Sequence, residues 1–168
     1  MKVLGLAGWS GSGKTTLLVA LLPALTARGF HVSTIKHVHG SVDLDRPGKD
    51  SYRHREAGAG EVLVLSAKRW TLIHELRDER EPTLDELIAR MTPVDLILVE
   101  GFKRWPHDKI EVHRPVLGKP LLCRNDDSII AVASDQPLAG LHVPVFRLED
   151  TEDIAAFIMN HHGMDKAR

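Results

Sequence analysis

The chain has 168 residues, with 22 Lys plus Arg against 23 Asp plus Glu, ten His and one Cys. That length suits a single domain, residues 1–168, with a full hydrophobic core and no room for a second substantial one. A net charge of −1 offers no global field for nucleic acid or an anionic membrane, and a lone Cys123 excludes an intramolecular disulfide or a multi-cysteine zinc framework.

Residues 1–7, Met-Lys-Val-Leu-Gly-Leu-Ala, make an apolar run shorter than a signal-peptide core and without a cleavage signature, so it reads as a buried strand. With the single cysteine it places the chain in the reducing cytoplasm. Gly8 to Thr15 then reads Gly-x4-Gly-Lys-Thr. Glycines let consecutive backbone N–H groups converge without Cβ interference, and the helix that follows turns its positive dipole end toward the same point. Gly8, Ser10, Gly11, Ser12, Gly13, Lys14, Thr15 and Thr16 are therefore assigned to a phosphate chain, with Lys14 as a point charge and the Thr15 hydroxyl as a Mg²⁺ ligand. This is the P-loop pattern, between a strand and a helix as its chemistry requires.

Leu17, Leu18, Leu21, Leu22 and Leu25 recur at helical spacing, and Arg28-Gly29 supplies a cationic last turn and a stop. Pro23 inside that helix predicts a local kink, and the sequence offers no compensating feature. Phe30 to Lys36 is a second strand, closing a βαβ unit within about forty residues. His37 to Ser51 is polar, carries Pro47-Gly48 and lies just beyond the carboxyl end of that strand, where open α/β sheets place ligands. Asp50 to Gly60 reads as a helix capped by Asp50 or Ser51, Glu61 to Ser66 as a third strand, and Thr83 to Met91 as a helix whose Thr83 and Glu86 form a capping box.

Asp95 to Gly101, Asp-Leu-Ile-Leu-Val-Glu-Gly, has the continuous apolar run of a central parallel strand and ends on Glu100 at the ligand edge. Beside the P-loop, Glu100 is the candidate partner of Mg²⁺ or its bound water. Lys109–His113, Ser128–Ala133 and Val143–Phe146 read as further strands, and Thr151–Asn160 as a closing helix capped by Thr151. The fold class is α/β, a P-loop NTPase fold with a mostly parallel central sheet of about seven or eight strands flanked by helices.

The remaining constellations are less specific. Asp43, Asp45 and Asp50 with Lys49 order around Mg²⁺ and the terminal phosphate as switch loops do, or solvate a loop; Asp45 and Asp50 are the favoured pair. Arg53, His54 and Arg55 face phosphate or a partner's acidic group, or form a solvated helix face. His37 and His39, two apart, and the adjacent His161-His162 invite a transition metal but lack a third and fourth ligand in the sequence, and exposed or nucleotide-facing imidazoles are the favoured reading. Trp9 must project away from the phosphates, to pack on a partner, on a nucleotide or simply on the protein surface. Phe102-Lys103-Arg104-Trp105-Pro106 makes an aromatic and basic loop at the same sheet edge.

The P-loop at the N-terminus, Thr34-Ile35-Lys36-His37, the stretch from Asp45 to Ala59 and Val99-Glu100-Gly101-Phe102-Lys103 together resemble the MobB family, the molybdopterin-guanine dinucleotide biosynthesis adapter proteins. The resemblance spans about residues 1–160, and the middle stretch is more specific than the P-loop. It implies a P-loop fold, GTP binding with weak hydrolysis, a homodimer, and cooperation with the guanylyltransferase that attaches GMP to molybdopterin. Lys36, His37, Asp45, Asp50, Arg53 and Lys103 are the candidate switch or cofactor contacts, the cofactor being molybdopterin. No Asn-Lys-x-Asp guanine-reading motif is present, and Arg124-Asn125-Asp126-Asp127 is a loose substitute for it. No glutamine stands out to position a water, so slow or partner-stimulated hydrolysis is expected. A small-molecule kinase and a metallochaperone NTPase using His37 and His39 are the rival readings.

Overall fold

A computed structural model describes all residues except His39, Ser41, Leu44, Lys103, Arg104 and 165–168. It divides into two compact units, one formed by Met1–His37 with Met91–Arg168 and the other by Val38–Arg90. Among the described residues the first unit holds six strands: β1 (Lys2–Ala7), β2 (Val32–Lys36), β5 (Leu96–Glu100), β6 (Lys109–His113), β7 (Ile129–Ser134) and β8 (Val145–Arg147). They lie in the order β2-β5-β1-β6-β7-β8, every pairing parallel. Helices α1 (Lys14–Thr26) and α4 (Thr151–His162) belong to the same unit.

Alternation along the strands divides the interior in two, because successive strand residues face opposite sides. Leu4 and Leu6 of β1, Leu96 and Leu98 of β5, and Ile110 and Val112 of β6 pack with Leu17, Leu21 and Leu25 of α1 and Ile154 and Ile158 of α4. A smaller cluster of Ala7, Cys123, Ile129 and Val132 occupies the other side, joined by residues of the loops that follow β6 and β7. Strand β5 is buried along Leu96–Val99, as its uninterrupted apolar run requires of a strand flanked by β1 and β2. Pro23 lies inside α1 but on its exposed side, together with exposed Val19. The carbonyl that loses its intrahelical partner there, that of Val19, can be served by water.

The second unit contains α2 (Asp50–Glu56), β3 (Glu61–Leu65), β4 (Trp70–His74) and α3 (Leu84–Ala89). β3 and β4 pair only with each other, antiparallel, with Leu63 opposite Leu72 and Leu65 opposite Trp70. The α/β class and the parallel sheet match the sequence reading; the strand count of seven or eight does not. Six strands form the sheet because the third expected strand turns straight back through Ser66–Arg69, a connection that permits only antiparallel pairing. The strand it turns into, β4, went unnoticed in the sequence. Helix α2 ends at Glu56 rather than Gly60, since Gly58 takes a φ of 111° and its amide turns back to the Arg55 carbonyl. The Thr83–Glu86 capping box is present as expected, whereas α2 and α4 start from Lys49 and Asp150 without a side-chain cap.

Candidate functional site

Because β1, β5 and β2 run parallel in one register, Leu6, Glu100 and Lys36 are level with one another at the carboxyl edge of the sheet. The loop from Gly8 to Gly13 leaves β1 at that edge and delivers Lys14 and Thr15 as the first residues of α1. Its glycines are needed. Gly8 has a φ of 139°, and a Cβ there would lie 2.4 Å from the Val112 carbonyl oxygen and 2.7 Å from Ser12 Oγ. Gly13 caps α1 in the left-handed region at a φ of 100°. Ser12 is 1% exposed and its Oγ has no hydrogen-bond partner, an orphan of the kind that a ligand or water satisfies in a native interior.

Four of the residues singled out from the sequence, Lys14, Thr15, Lys36 and Glu100, meet here. Lys14 Nζ donates to the carbonyl oxygens of Gly8 and Trp9 at 3.1 and 3.0 Å, so its charge is folded back over the loop. Thr15 Oγ1 donates to the Glu100 carboxylate, 2.9 Å from each oxygen. Lys36 Nζ stands 3.6 Å from Glu100 Oε2. A hydroxyl and a carboxylate in contact at a phosphate loop are a hard-oxygen donor set, which fits Mg²⁺ with phosphate oxygens and water completing its shell.

Behind Glu100 the chain turns sharply. Gly101 has a φ of 107°, and a Cβ there would approach His37 Cβ to 2.7 Å. Phe102 follows in the left-handed region at a φ of 48°, a conformation costly for a bulky side chain and held by its burial. Its ring packs on His37 at 4.7 Å and on Trp105 at 6.0 Å between centroids. The His37 amide donates to the Glu100 carbonyl at 2.8 Å, so His37 is part of the support for this turn. Trp9 Nε1 donates to the Pro120 carbonyl at 2.9 Å with Lys119 over its ring. Trp9 is thus in contact with the protein's own surface.

Asp45, Asp50 and Arg53 lie in the second unit. Asp45 accepts from Ser51 Oγ at 2.9 Å and from Arg55 Nε at 3.4 Å; Arg55 also bonds Asp43 and Glu75, its side chain 12% exposed. The Asp43 carboxyl is held below its ordinary range, chiefly by the Asp45 amide and then by Arg55. Asp50 opens α2, and with Arg53, Tyr52 and His54 it lines a cleft along that helix. Lys103 and His39, both singled out from the sequence, lie outside the described residues.

Two residues absent from the sequence reading stand beside the loop. Arg114 Nε donates to the Ser12 carbonyl at 3.1 Å, and its Nη1 pairs with Asp135 at 3.0 Å. Each is the first residue past a strand that the sequence identified, β6 and β7, on the edge where ligands bind; that position was the available signal. Arg124–Asp127, by contrast, precedes β7 and so lies toward the amino edge, where Asp126 accepts from the Ser128 amide at 3.0 Å. A guanine-reading role for that segment is incompatible with a phosphate loop at the opposite edge.

Known proteins agree with this architecture. Residues 3–135 match the family described as molybdopterin guanine dinucleotide synthesis protein B, MobB. The chain is 48% identical over 160 residues to the molybdopterin-guanine dinucleotide biosynthesis adapter protein of Escherichia coli K12, covering 94% of this chain and 91% of the relative. It is 42% identical over 164 residues to the protein of the same name from Haemophilus influenzae, covering 95% and 90%. A crystal structure of molybdopterin-guanine biosynthesis protein B superposes with a TM-score of 0.75 at 29% identity, over 95% of this chain and 99% of that one. The MobB homologue from Bacillus stearothermophilus gives 0.69 at 28% identity, over 98% and 100%. With the phosphate loop, the parallel sheet and these matches in agreement, the chain belongs to the MobB family.

Proposed function

We propose that this protein is a Mg²⁺-dependent GTP-binding adapter in molybdopterin guanine dinucleotide biosynthesis, acting in the cytoplasm beside the guanylyltransferase that joins GMP to molybdopterin. The observation that carries the nucleotide half is the contact of Thr15 with Glu100 at the mouth of a glycine loop in which Lys14 is already drawn over the phosphate position. The adapter half rests on the names of the relatives.

In this reading the loop amides from Gly11 to Thr16 take the phosphate oxygens and Lys14 neutralises the outer phosphates. Thr15 and Glu100 hold Mg²⁺, which supplies charge neutralisation of the triphosphate when bound. Asp135 offers a carboxylate to the two N–H donors that distinguish guanine from adenine, steadied by Arg114. Lys36, His37, Asp45, Asp50, Arg53 and Lys103 remain candidates for sensing the γ-phosphate or molybdopterin. Hydrolysis is slow, because no side chain of the described site is poised to orient a water.

The homodimer is supported by one face of the β3–β4 hairpin. Leu63, Leu65, Trp70 and Leu72 share that face through cross-strand pairs and are 61%, 74%, 62% and 46% exposed, an apolar patch of the kind that marks an association surface. Among the described residues no helix is long and apolar enough to cross a membrane.

Titration calorimetry with GTP and ATP in the presence of Mg²⁺ tests the reading, followed by co-purification with the guanylyltransferase. Tighter binding of GTP and a retained partner support it. Preference for ATP, or GTP binding without capture of the partner, overturns the corresponding half.

A further inference from the structure

The adjacent histidines of the sequence find a third ligand in the fold. His161 and His162 occupy the last turn of α4, and Asp108 immediately precedes β6. His161 Nε2 lies 2.8 Å from Asp108 Oδ2, the two imidazoles stand 5.0 Å apart between centroids, and one ligating atom from each residue falls within 4.8 Å of the other two. The supporting backbone is fixed: the Gly5 amide donates to the Asp108 carbonyl at 2.8 Å, and the His161 ring stacks on Phe157 at 5.9 Å.

An independent observation points to a ligand. His162 Nε2 is closed off from solvent and has no hydrogen-bond partner, which is an unusual state for a buried polar atom. Asp108 and His161 keep 44% and 34% of their side-chain surface exposed, which leaves an entry path and a position for water.

We propose that Asp108, His161 and His162 bind a divalent transition-metal ion of the zinc class, tying the end of α4 to the start of β6. Two imidazoles and one carboxylate with an open fourth position form a donor set that selects borderline metals over Mg²⁺. The phosphate-loop pair Thr15 and Glu100, all oxygen, selects the reverse. Each site thus takes its own metal, and this one does not depend on the nucleotide.

The test uses the full chain, stripped with a chelator and free of nucleotide, titrated with Zn²⁺ in competition with a chromophoric chelator. The variants are His161→Gln, which keeps a partner for Asp108 but not an imidazole, His162→Ala, Asp108→Asn and, as a control on the other histidine pair, His37→Ala. The expected result is one equivalent bound at submicromolar concentration, weakened at least about tenfold by each of the first three and unchanged by His37→Ala. Co²⁺ added to the wild type reports the same site through visible ligand-field bands, whatever the folding of the variants. Absence of stoichiometric binding, binding that survives His161→Gln, or loss on His37→Ala overturns the proposal. GTP binding in chelator plus Mg²⁺ is untouched by either result.

Discussion

Replacing Lys14 by Ala separates the two tasks this lysine can have. Its ammonium bonds the Gly8 and Trp9 carbonyls at 3.1 and 3.0 Å. Those oxygens belong to a loop at the sheet edge and can return to water, so losing the lysine costs the fold at most about 1 kcal/mol, a fall in Tm of roughly 2–4 °C for a chain of this size. A bound triphosphate has no such substitute. Loss of a charged hydrogen bond to phosphate removes roughly 1.5–3 kcal/mol, an affinity drop of about tenfold to 150-fold. Calorimetric titration with GTP and Mg²⁺, beside a thermal melt of the free protein, reads both quantities. GTP affinity within about twofold of wild type refutes the phosphate assignment. A collapse of Tm beyond about 10 °C with little change in affinity refutes the view that the lysine serves the ligand rather than the loop.

Asp135→Asn, which leaves one acceptor where guanine presents two donors, lowers GTP affinity about tenfold or more and leaves ATP affinity unchanged, measured in the same titration. Gly101→Ala forces a Cβ to 2.7 Å from His37 Cβ at a φ of 107° and destabilises the protein by roughly 1–3 kcal/mol in urea unfolding. Its Mg²⁺-dependent GTP affinity falls as well, because Glu100 is the preceding residue. Burial, and then the Lys109 charge, push His107 down to about 4. Between the unfolded value near 6.5 and that point only the unfolded chain takes the proton, so stability falls as pH drops from about 6.5 toward 4. His107→Leu flattens this part of a pH series of denaturation curves. Glu86 is held at about 2, chiefly by Arg80 and then by the Thr83 amide. Its contribution is present above about pH 4.3 and is lost as the pH falls toward 2, a loss that Glu86→Gln abolishes.

The legible parts of this chain were those encoded locally. Gly8–Thr15 sets a glycine turn between a strand and a helix within eight residues, and the apolar run ending at Glu100 announces a buried strand with an acid at its carboxyl end. The Thr83–Glu86 box was readable for the same reason, since both partners lie within one turn. Long-range pairing was not. Nothing in Glu61–Leu65 says that its hydrogen bonds go to Trp70–His74 rather than to the sheet, because either arrangement satisfies a short β-rich segment. Arg114 and Asp135 are ordinary surface residues until the strand order sets β6 between β1 and β7. Asp108 and His161 are 53 positions apart and meet only because β6 and α4 do. The excess strand count follows from treating every β-rich segment as a member of one sheet.

The place of β5 has a consequence for how this molecule is made. β1 and β2 are joined through α1, yet they are not neighbours: β5 lies between them and bonds to both. The N-terminal strand–helix–strand segment is therefore synthesised with a strand-wide gap, which closes only when residues 96–100 arrive. Such distant pairing carries a large loop-closure entropy and slows folding. Until then Thr15 lacks Glu100, so on the proposed function nucleotide with its metal cannot hold the nascent N-terminal segment together. Ligand stabilisation acts on the finished sheet and resists its opening, and a chain truncated before Leu96 keeps the phosphate-loop sequence without the slot that makes it a site.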